Sequence, residues 1–286
     1  MLLGLFFILQ AGVIHNLAQQ SNQLMGGSAT RPTGAQLHHW LFAMATGANT
    51  VPDLGVLGSA LGFSATGVSV QYRNQGNSLE SWSRVAMPGL PSDGVGYFSG
   101  SGEAVAYSCP VLRDSARTVA LWMRRAVIGV LDEGLVTWGP GSVSGGWFAI
   151  GLNSSGQISV RTSSIMTPRV VSTTGITDNR WYQVCVVCLP SANSQSGGIG
   201  NANNIWIFIN GYHDTLSPFG TGFEANPINT VKSSSSSLDW LYVGSHGSLN
   251  YLNGYLDDVQ IYGYALAPDE VLGLARGAGQ LEVVRR

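Results

Sequence analysis

The stretch "YLNGYLDDVQIYGYALAPDEVLGLARG", residues 251–277, combines an alternating strand with a short helix near the end of the chain. Pro268 suits the first turn of a helix because no N–H is needed there, and Asp269 and Glu270 suit the positive end of the helix dipole. The stretch therefore predicts a strand over residues 251–263, followed by one short helix that closes the chain.

Upstream of this stretch, short apolar runs are separated by Gly, Asn or Ser. In "NIWIFINGY", three isoleucines alternate with Trp206 and Phe208, and Asn210-Gly211 accepts the positive φ angles of a tight hairpin. These patterns predict a chain of short strands. The other expected strands lie at about 37–42, 95–99, 103–108, 117–124, 134–138, 146–152, 156–162, 180–189, 204–210 and 238–244.

The composition supports an all-β protein and disfavours a nucleic-acid partner. Only 10% of the 286 residues are charged, 38 are glycine, and the net charge is −2. Lys232 is the sole lysine of the sequence, and the arginines form no basic stripe that could displace counterions from a phosphate backbone. The length allows one large β domain or two ordinary ones.

The first thirty residues contain no Asp, Glu, Lys or Arg. A secretory signal would begin with basic residues, and Gln10 interrupts the apolar run too early for a transmembrane span. We therefore expect an amphipathic arm that packs against another subunit, or alternatively against its own domain. Its apolar side recurs at helical spacing and consists of Leu2, Phe6, Leu9, Val13 and Leu17.

Cys185 and Cys188 lie at an odd spacing in the strand-like run "WYQVCVVCL" and are expected to point to opposite faces of the strand. We interpret them as small buried apolar residues rather than a disulfide or a metal pair.

Six phrases in order resemble the concanavalin-A-like, laminin-G-like jelly-roll family. They are "HHWLFAM" with "VPDLGVLGSALGF", "GYFSGSGEAVAY", "RTVALWMRR", "NRWYQVCVV", "IWIFINGY" and the closing strand and helix. The resemblance implies an all-β, two-sheet antiparallel jelly-roll sandwich over residues 37–276. Residues 1–36 then form the helical or extended arm with its linker, and residues 277–286 form a tail. The residues expected to be largely buried are Trp40, Trp122, Trp181, Ile207 and Tyr262.

Hydrolases of this fold carry Glu-x-Asp-x-x-Glu, since retaining glycoside hydrolysis needs two neighbouring carboxylates. The sequence has no such motif. The adjacent pairs Asp132-Glu133 and Asp257-Asp258 would project to opposite sides of a strand. We therefore expect a non-enzymatic protein without catalytic residues, and glycoside hydrolysis ranks last among the function classes.

The resemblance also suggests calcium, and Asp53 in the opening loop is the one ligand expected for it. Ser99 stands where the family phrase usually has Asp, and a hard cation needs six to eight oxygens. The alternative is that Asp53 caps a turn, in which case no cofactor is needed.

Glycan binding requires aromatic rings with polar neighbours on an accessible surface. Such groups occur around "GPGSVSGG" and "SHGSLNY". The alternative interpretation is that these rings cover the edges of the core. The residues expected to bind a glycan are Trp138, Trp147, His246, Asn250 and Tyr251.

We rank the function classes by how well each explains the uncharged arm and the absence of the Glu-x-Asp-x-x-Glu motif. First comes a structural or adhesion subunit of a virion, as a capsid decoration or tail-associated protein, or of another extracellular assembly. Its partners are copies of itself or other structural subunits that the arm contacts. The alternative is a lectin-like module that binds a cell-surface glycan or receptor. Both roles predict a virion, extracellular or cell-surface location.

Overall fold

A computed structural model was obtained for the chain. It describes residues 34–42, 48–63, 67–72, 94–126, 132–140, 146–162, 168, 170–176, 179–189, 204–216, 228, 230, 240–247 and 249–276. The arm residues Leu2, Phe6, Leu9, Val13 and Leu17 lie outside these ranges, so the prediction of an assembly arm stays a prediction.

Strands dominate the described chain, and one helix follows them. The strands are β1 (Gln36–Trp40), β2 (Thr50–Val51), β3 (Leu61–Phe63), β4 (Val68–Tyr72), β5 (Gly94–Ser99), β6 (Ala104–Tyr107), β7 (Arg117–Arg125), β8 (Glu133–Trp138), β9 (Phe148–Leu152), β10 (Gln157–Arg161), β11 (Val170–Gly175), β12 (Trp181–Cys188), β13 (Ile205–Ile209), β14 (Tyr212–His213), β15 (Thr215–Leu216), β16 (Trp240–Val243) and β17 (Asn253–Tyr262). The helix is α1 (Pro268–Ala275).

The strands form two antiparallel sheets that pack as a sandwich. The eight-stranded sheet has the order β14-β13-β12-β7-β17-β5-β4, and β1 also pairs with β17. The nine-stranded sheet has the order β15-β11-β10-β9-β8-β16-β6-β3-β2. This architecture confirms the predicted all-β sandwich with one short C-terminal helix. The sequence patterns missed several short strands, namely β2, β3, β4, β11, β14 and β15.

The main core lies between the two sheets and contains Trp40, Phe98, Met123 and Ile207. Four of the five residues expected in the interior are buried, since Trp40, Trp122, Ile207 and Tyr262 expose at most 5% of their surface. Trp181, the fifth, is half-buried, and it is absent from the main core because its side chain lies on the outer face of the eight-stranded sheet.

A smaller apolar cluster lies beneath α1 on the outer face of the eight-stranded sheet. Phe208, Tyr262 and Val271 pack there, together with Cys185. Cys188 instead belongs to the main core, which confirms that the two side chains point to opposite faces of β12, and neither cysteine forms a disulfide among the described residues.

The residues predicted to start the helix and to form the hairpin turn adopt the expected geometry. Glu270 Oε2 accepts a hydrogen bond of 2.8 Å from the N–H of Ala267, directly before the helix. At the hairpin between β13 and β14, Asn210 and Gly211 adopt φ angles of 55° and 83°. Within the described ranges, no helix is long and apolar enough to cross a membrane.

Candidate functional site

Polar and aromatic side chains collect on the outer face of the eight-stranded sheet, next to the apolar cluster beneath α1. On β7, Leu121 and Met123 point into the core, so Trp122 and Arg124 point outward. The same alternation turns Trp181 of β12 outward. The outer face therefore carries a set of residues that apolar core packing alone does not require.

Strand register brings four of these outward residues into one line. Trp181 lies opposite Arg124, Arg124 lies opposite Tyr255, and Tyr255 lies opposite Tyr97. We call this line the aromatic row. With strands spaced by about 4.8 Å, its four members extend over about 14 Å. The row is therefore long enough for a short oligosaccharide or a peptide segment, rather than a single small group.

The side chains of the aromatic row contact one another. The rings of Tyr97 and Tyr255 have centroids 5.1 Å apart, and those of Trp181 and Tyr255 are 6.3 Å apart. The Arg124 guanidinium lies 4.9 Å from the centre of the Tyr255 ring, and its Nε donates to Asn179 Oδ1 at 2.6 Å. The three rings are half-buried, so part of their surface is open to solvent. The row thus holds a cation between partly exposed aromatic rings.

A second line of outward-facing side chains lies two residues further along the same strands. Gln183 lies opposite Trp122, which in turn lies opposite Asp257. The Asp257 carboxylate accepts the N–H of Asp258 at 2.8 Å. Gln183 exposes only 1% of its surface. Neither Nε2 nor Oε1 of Gln183 has a hydrogen-bond partner in the described part of the chain.

An unpaired buried amide is costly, at about 1–3 kcal/mol, so proteins rarely keep one without a reason. Gln183 offers both a donor and an acceptor, which suits a hydroxyl group that also donates and accepts. Together with Arg124 and Asn179 it gives the outer face hydrogen-bonding groups beside aromatic rings.

The residues predicted from the sequence to bind a glycan lie elsewhere, and three of them are buried. Trp138 is fully buried, and its Nε1 donates to the carbonyl of Val111 at 3.0 Å. Trp147 exposes 5% and His246 2%, and their rings pack edge to face at 5.6 Å. These three rings cannot serve as open platforms, because their side chains lie in the interior of the sandwich.

Asn250 and Tyr251 remain partly exposed at the edge of the sandwich. Asn250 has a φ of 51°, and its carbonyl accepts the N–H of Gly134 at 2.8 Å. These contacts give Asn250 a turn-forming role, and they do not bring it near the aromatic row in strand register.

His246 is held neutral inside the sandwich. Burial lowers its pKa from 6.5 to about 3, and the positive charge of Arg161 acts in the same direction. Arg161 donates to His246 Nε2 at 3.1 Å, so the proton resides on Nδ1, which faces Thr137 Oγ1 at 3.3 Å. His246 is therefore a structural acceptor for a buried arginine.

Asp53, the residue considered for calcium, caps its loop through both carboxylate oxygens. Oδ1 accepts the N–H groups of His39 at 2.9 Å and Gly55 at 2.8 Å. Oδ2 accepts the N–H of Ser59 at 2.9 Å and contacts His38 Nδ1 at 2.5 Å. Because hydrogen donors surround these oxygens, they do not suit a cation, and the turn-capping interpretation fits. No cluster of three metal-binding side chains occurs among the residues that the structure covers.

The acidic pair Asp132-Glu133 is divided between two arginines. Arg161 Nη2 contacts Asp132 at 3.0 Å, and Arg125 Nε contacts Glu133 at 2.9 Å. Burial raises the pKa of Glu133, although Arg125 opposes this shift. Each carboxylate is thus engaged in an ion pair of its own.

Comparison with known proteins places this fold in a family. The model of the Laminin_G_3 family, from the concanavalin A-like lectin/glucanases superfamily, matches residues 99–272. This match spans more than half of the chain, so the chain belongs to that family. A search of curated proteins gave no match.

Solved structures with the same fold include domain 4 of AbnA, a GH43 extracellular arabinanase from Geobacillus stearothermophilus, in complex with arabinotriose. Its identity is 15% and its TM-score 0.50, over 84% of this chain and 98% of that domain. A Trypanosoma rangeli sialidase in complex with 2,3-difluorosialic acid is 14% identical, with a TM-score of 0.51. That alignment spans 94% of this chain and 39% of the sialidase. At these identities the likeness concerns the fold.

The sequence patterns missed the aromatic row. Trp181 was expected to be largely buried because it occurs in a strand with many apolar neighbours. Its phase was the available signal, since Trp181 is out of step with Val184 and Val186, which face the core. Tyr97 and Tyr255 could not be linked to Trp181 without the strand register.

Proposed function

We propose that this member of the concanavalin A-like lectin/glucanase superfamily is a carbohydrate-binding module, and that its outer eight-stranded face holds a short oligosaccharide. The observation that carries the proposal is the aromatic row, together with the Gln183 amide, which has no hydrogen-bond partner in the described part of the chain. Tyr97, Tyr255 and Trp181 offer ring faces to the C–H groups of sugars. Arg124 offers hydrogen bonds to sugar hydroxyls, and the Gln183 amide, 1% exposed, lies beside it without a partner among the described residues.

Two further points support a carbohydrate rather than an apolar ligand. The row is interrupted by a cation, and its exposed rings are only partly open, so little apolar area is available for burial. The arabinanase domain with this fold was solved in complex with arabinotriose, a short oligosaccharide. We infer that Arg124 contacts a hydroxyl or a carboxylate of the sugar.

The proposal is tested by screening the full-length chain against an oligosaccharide panel that includes arabinotriose and sialylated sugars. Isothermal titration calorimetry then gives the Kd of the tightest binder. We expect Trp181→Ala and Tyr255→Ala to weaken binding at least about tenfold, a loss of about 1.4 kcal/mol, because each removes a stacking surface.

Trp240→Ala is the matched control. Trp240 is also a half-buried tryptophan at a strand terminus, but it belongs to the nine-stranded sheet and packs edge to face on Tyr107 at 5.5 Å. Its removal should leave the Kd unchanged. A panel without any binder, or an equal loss of affinity in Trp240→Ala, would contradict the proposal.

A second role, as a structural or adhesion subunit of a virion or another extracellular assembly, is favoured by the uncharged first thirty residues. The two roles are compatible, because an arm that associates with other subunits would leave the outer face free to bind a glycan. The extracellular or cell-surface location is a proposal that both roles share.

A further inference from the structure

Three polar side chains form a continuous hydrogen-bonded chain from the interior to the surface. Asp53 Oδ2 lies 2.5 Å from His38 Nδ1, and His38 Nε2 lies 2.7 Å from Ser108 Oγ. Acid, imidazole and hydroxyl thus follow one another in the order that activates a serine nucleophile. Three distant parts of the chain supply them, namely β1, the loop after β2 and the end of β6.

The proton positions follow from the donors and acceptors. An ionised carboxylate only accepts, so the contact with Asp53 places a proton on His38 Nδ1. Burial lowers the pKa of His38, and this effect outweighs the opposing influence of Asp53, so the imidazole is neutral at pH 7. The unprotonated Nε2 then accepts the Ser108 hydroxyl proton. This is the state in which an imidazole acts as a general base.

The acid and the imidazole are held rigidly. Besides His38, Asp53 accepts the N–H groups of His39, Gly55 and Ser59. The Trp40 ring stacks on the imidazole with centroids 4.5 Å apart and an interplanar angle of 15°. The geometry is therefore fixed before any ligand arrives, as a catalytic arrangement requires.

Of these three hydrogen-bonded side chains, only Ser108 reaches the solvent. The side chains of His38 and Asp53 are fully buried, whereas Ser108 is half-buried. Exposed apolar residues lie close to these side chains in the sequence: Leu54, Val56 and Leu57 follow Asp53, and Tyr107 precedes Ser108, all with 47% or more of their surface exposed. Ser59 Oγ donates to the Tyr107 carbonyl at 3.4 Å, so the loop that carries Leu54, Val56 and Leu57 is hydrogen-bonded to β6. An acyl chain would find apolar surface beside the hydroxyl.

We propose that Ser108, His38 and Asp53 form an esterase site that takes carboxylic esters with an apolar acyl group. Ser108 Oγ attacks the ester carbonyl, and its proton passes to His38 Nε2. The carbon–oxygen bond to the alcohol breaks, and the alcohol leaves with that proton. Water, deprotonated by His38, then attacks the acyl-serine, which releases the carboxylic acid and restores Ser108.

This activity goes beyond carbohydrate binding and departs from the sequence-based expectation of a non-enzymatic protein. It uses none of the residues of the aromatic row, so either proposal can fail while the other holds. The motif search missed the site because its members are 15 and 70 residues apart and carry no local signature.

The test is covalent labelling of the full-length chain with a fluorophosphonate probe, with the modified residue mapped by peptide mass spectrometry. We expect one adduct, on Ser108. The same protein should hydrolyse p-nitrophenyl butyrate, and Ser108→Ala should reduce that turnover at least about 100-fold, because it removes the nucleophile that His38 activates and with it the acyl-serine route. The exposed Ser155→Ala is the control and should keep both labelling and turnover.

If the wild-type protein forms no adduct on Ser108, the proposal is overturned. The hydrogen bonds that join Asp53, His38 and Ser108 would then have a structural role only. Turnover that persists in Ser108→Ala would overturn it as well. The labelling of the wild-type chain decides the matter even if Ser108→Ala melts at a lower temperature, because it depends on no variant.

Discussion

At Gln183, the side chain that would best stabilise the fold differs from the one that would best bind a ligand. Its neighbours Val184 and Cys185 are fully buried apolar residues on either face of β12, and a valine or methionine at 183 would suit the same strand. Instead the chain buries an amide whose two polar atoms find no partner among the described residues. Such a residue lowers stability, which is expected where a ligand completes the hydrogen bonds.

We predict that Gln183→Met raises the free energy of unfolding by about 1–3 kcal/mol, because it removes an unpaired buried amide at nearly constant volume. The same variant should weaken oligosaccharide binding. Urea unfolding and calorimetry measure the two effects.

Gln260→Met is the matched control for this prediction. Gln260 is also buried, but its Oε1 accepts hydrogen bonds from Tyr262 at 2.5 Å and from Gln36 at 2.8 Å. This variant should lose stability. If Gln183→Met is destabilised to the same extent as Gln260→Met, the interpretation of Gln183 is wrong.

His246 gives a prediction for the pH dependence of stability. Its pKa is lowered to about 3 in the folded chain and is near 6.5 in the unfolded chain, so the unfolded chain binds the extra proton between these values. Stability is therefore fully present above pH 6.5 and decreases as the pH falls towards 3. This group contributes a slope of up to about 1.4 kcal/mol per pH unit.

Urea unfolding at several pH values between 4 and 7.5 measures this slope. His246→Gln keeps an acceptor for Arg161 but does not titrate, so its slope should be smaller than that of the wild type. His38, whose pKa is also lowered, should account for part of the remaining slope. Equal slopes in both proteins would contradict the role assigned to His246.

At the scale of elements, alternation predicted where strands occur but not which residues meet. In β17, Leu256 and Val259 both face the core although they are three residues apart. The intervening Asp258 has a φ of 50°, and the pairing with β7 shifts there. A strict alternation from Leu256 would assign the wrong face to every later residue. The aromatic row needs the pairing of four strands, so it could not be derived from any one strand.

The Asn210-Gly211 turn is an element that the sequence did predict, and it now gains a second role. Gly211 has a φ of 83°, and a Cβ there would lie 3.0 Å from both Leu272 Cδ1 and Ala275 Cβ of α1. We predict that Gly211→Ala lowers the free energy of unfolding by about 1–2 kcal/mol from the left-handed backbone alone. Crowding of α1 should add to this loss.

Gly62→Ala is the control for this prediction, measured by the same urea unfolding. A Cβ at Gly62 would meet only the Val105 carbonyl oxygen at 3.8 Å, an ordinary contact. It should change stability little. Similar unfolding midpoints for the two variants would show that the turn does not constrain the docking of α1.

At the scale of the whole molecule, the sandwich was predictable because several phrases in order are specific for it even though each phrase is weak. The site was not, because a sandwich places binding residues by strand register and loop contacts. Trp138 and Trp147 illustrate the limit: glycine-rich neighbours suggested open loops, but both rings fill the interior. The assembly role predicted from the uncharged arm concerns residues outside the described ranges and remains a prediction.

The central claim, that the outer face of the eight-stranded sheet binds an oligosaccharide, is tested most directly by nitrogen–proton correlation NMR. The full-length chain is titrated with the oligosaccharide that binds most tightly in the panel, and tryptophan side-chain signals are assigned with Trp181→Phe and Trp240→Phe. The claim predicts that the Trp181 indole signal and the amides of Arg124 and Tyr255 shift on binding, while the Trp240 indole does not. Shifts that instead centre on Trp240, or on Asn250 and Tyr251, would contradict it.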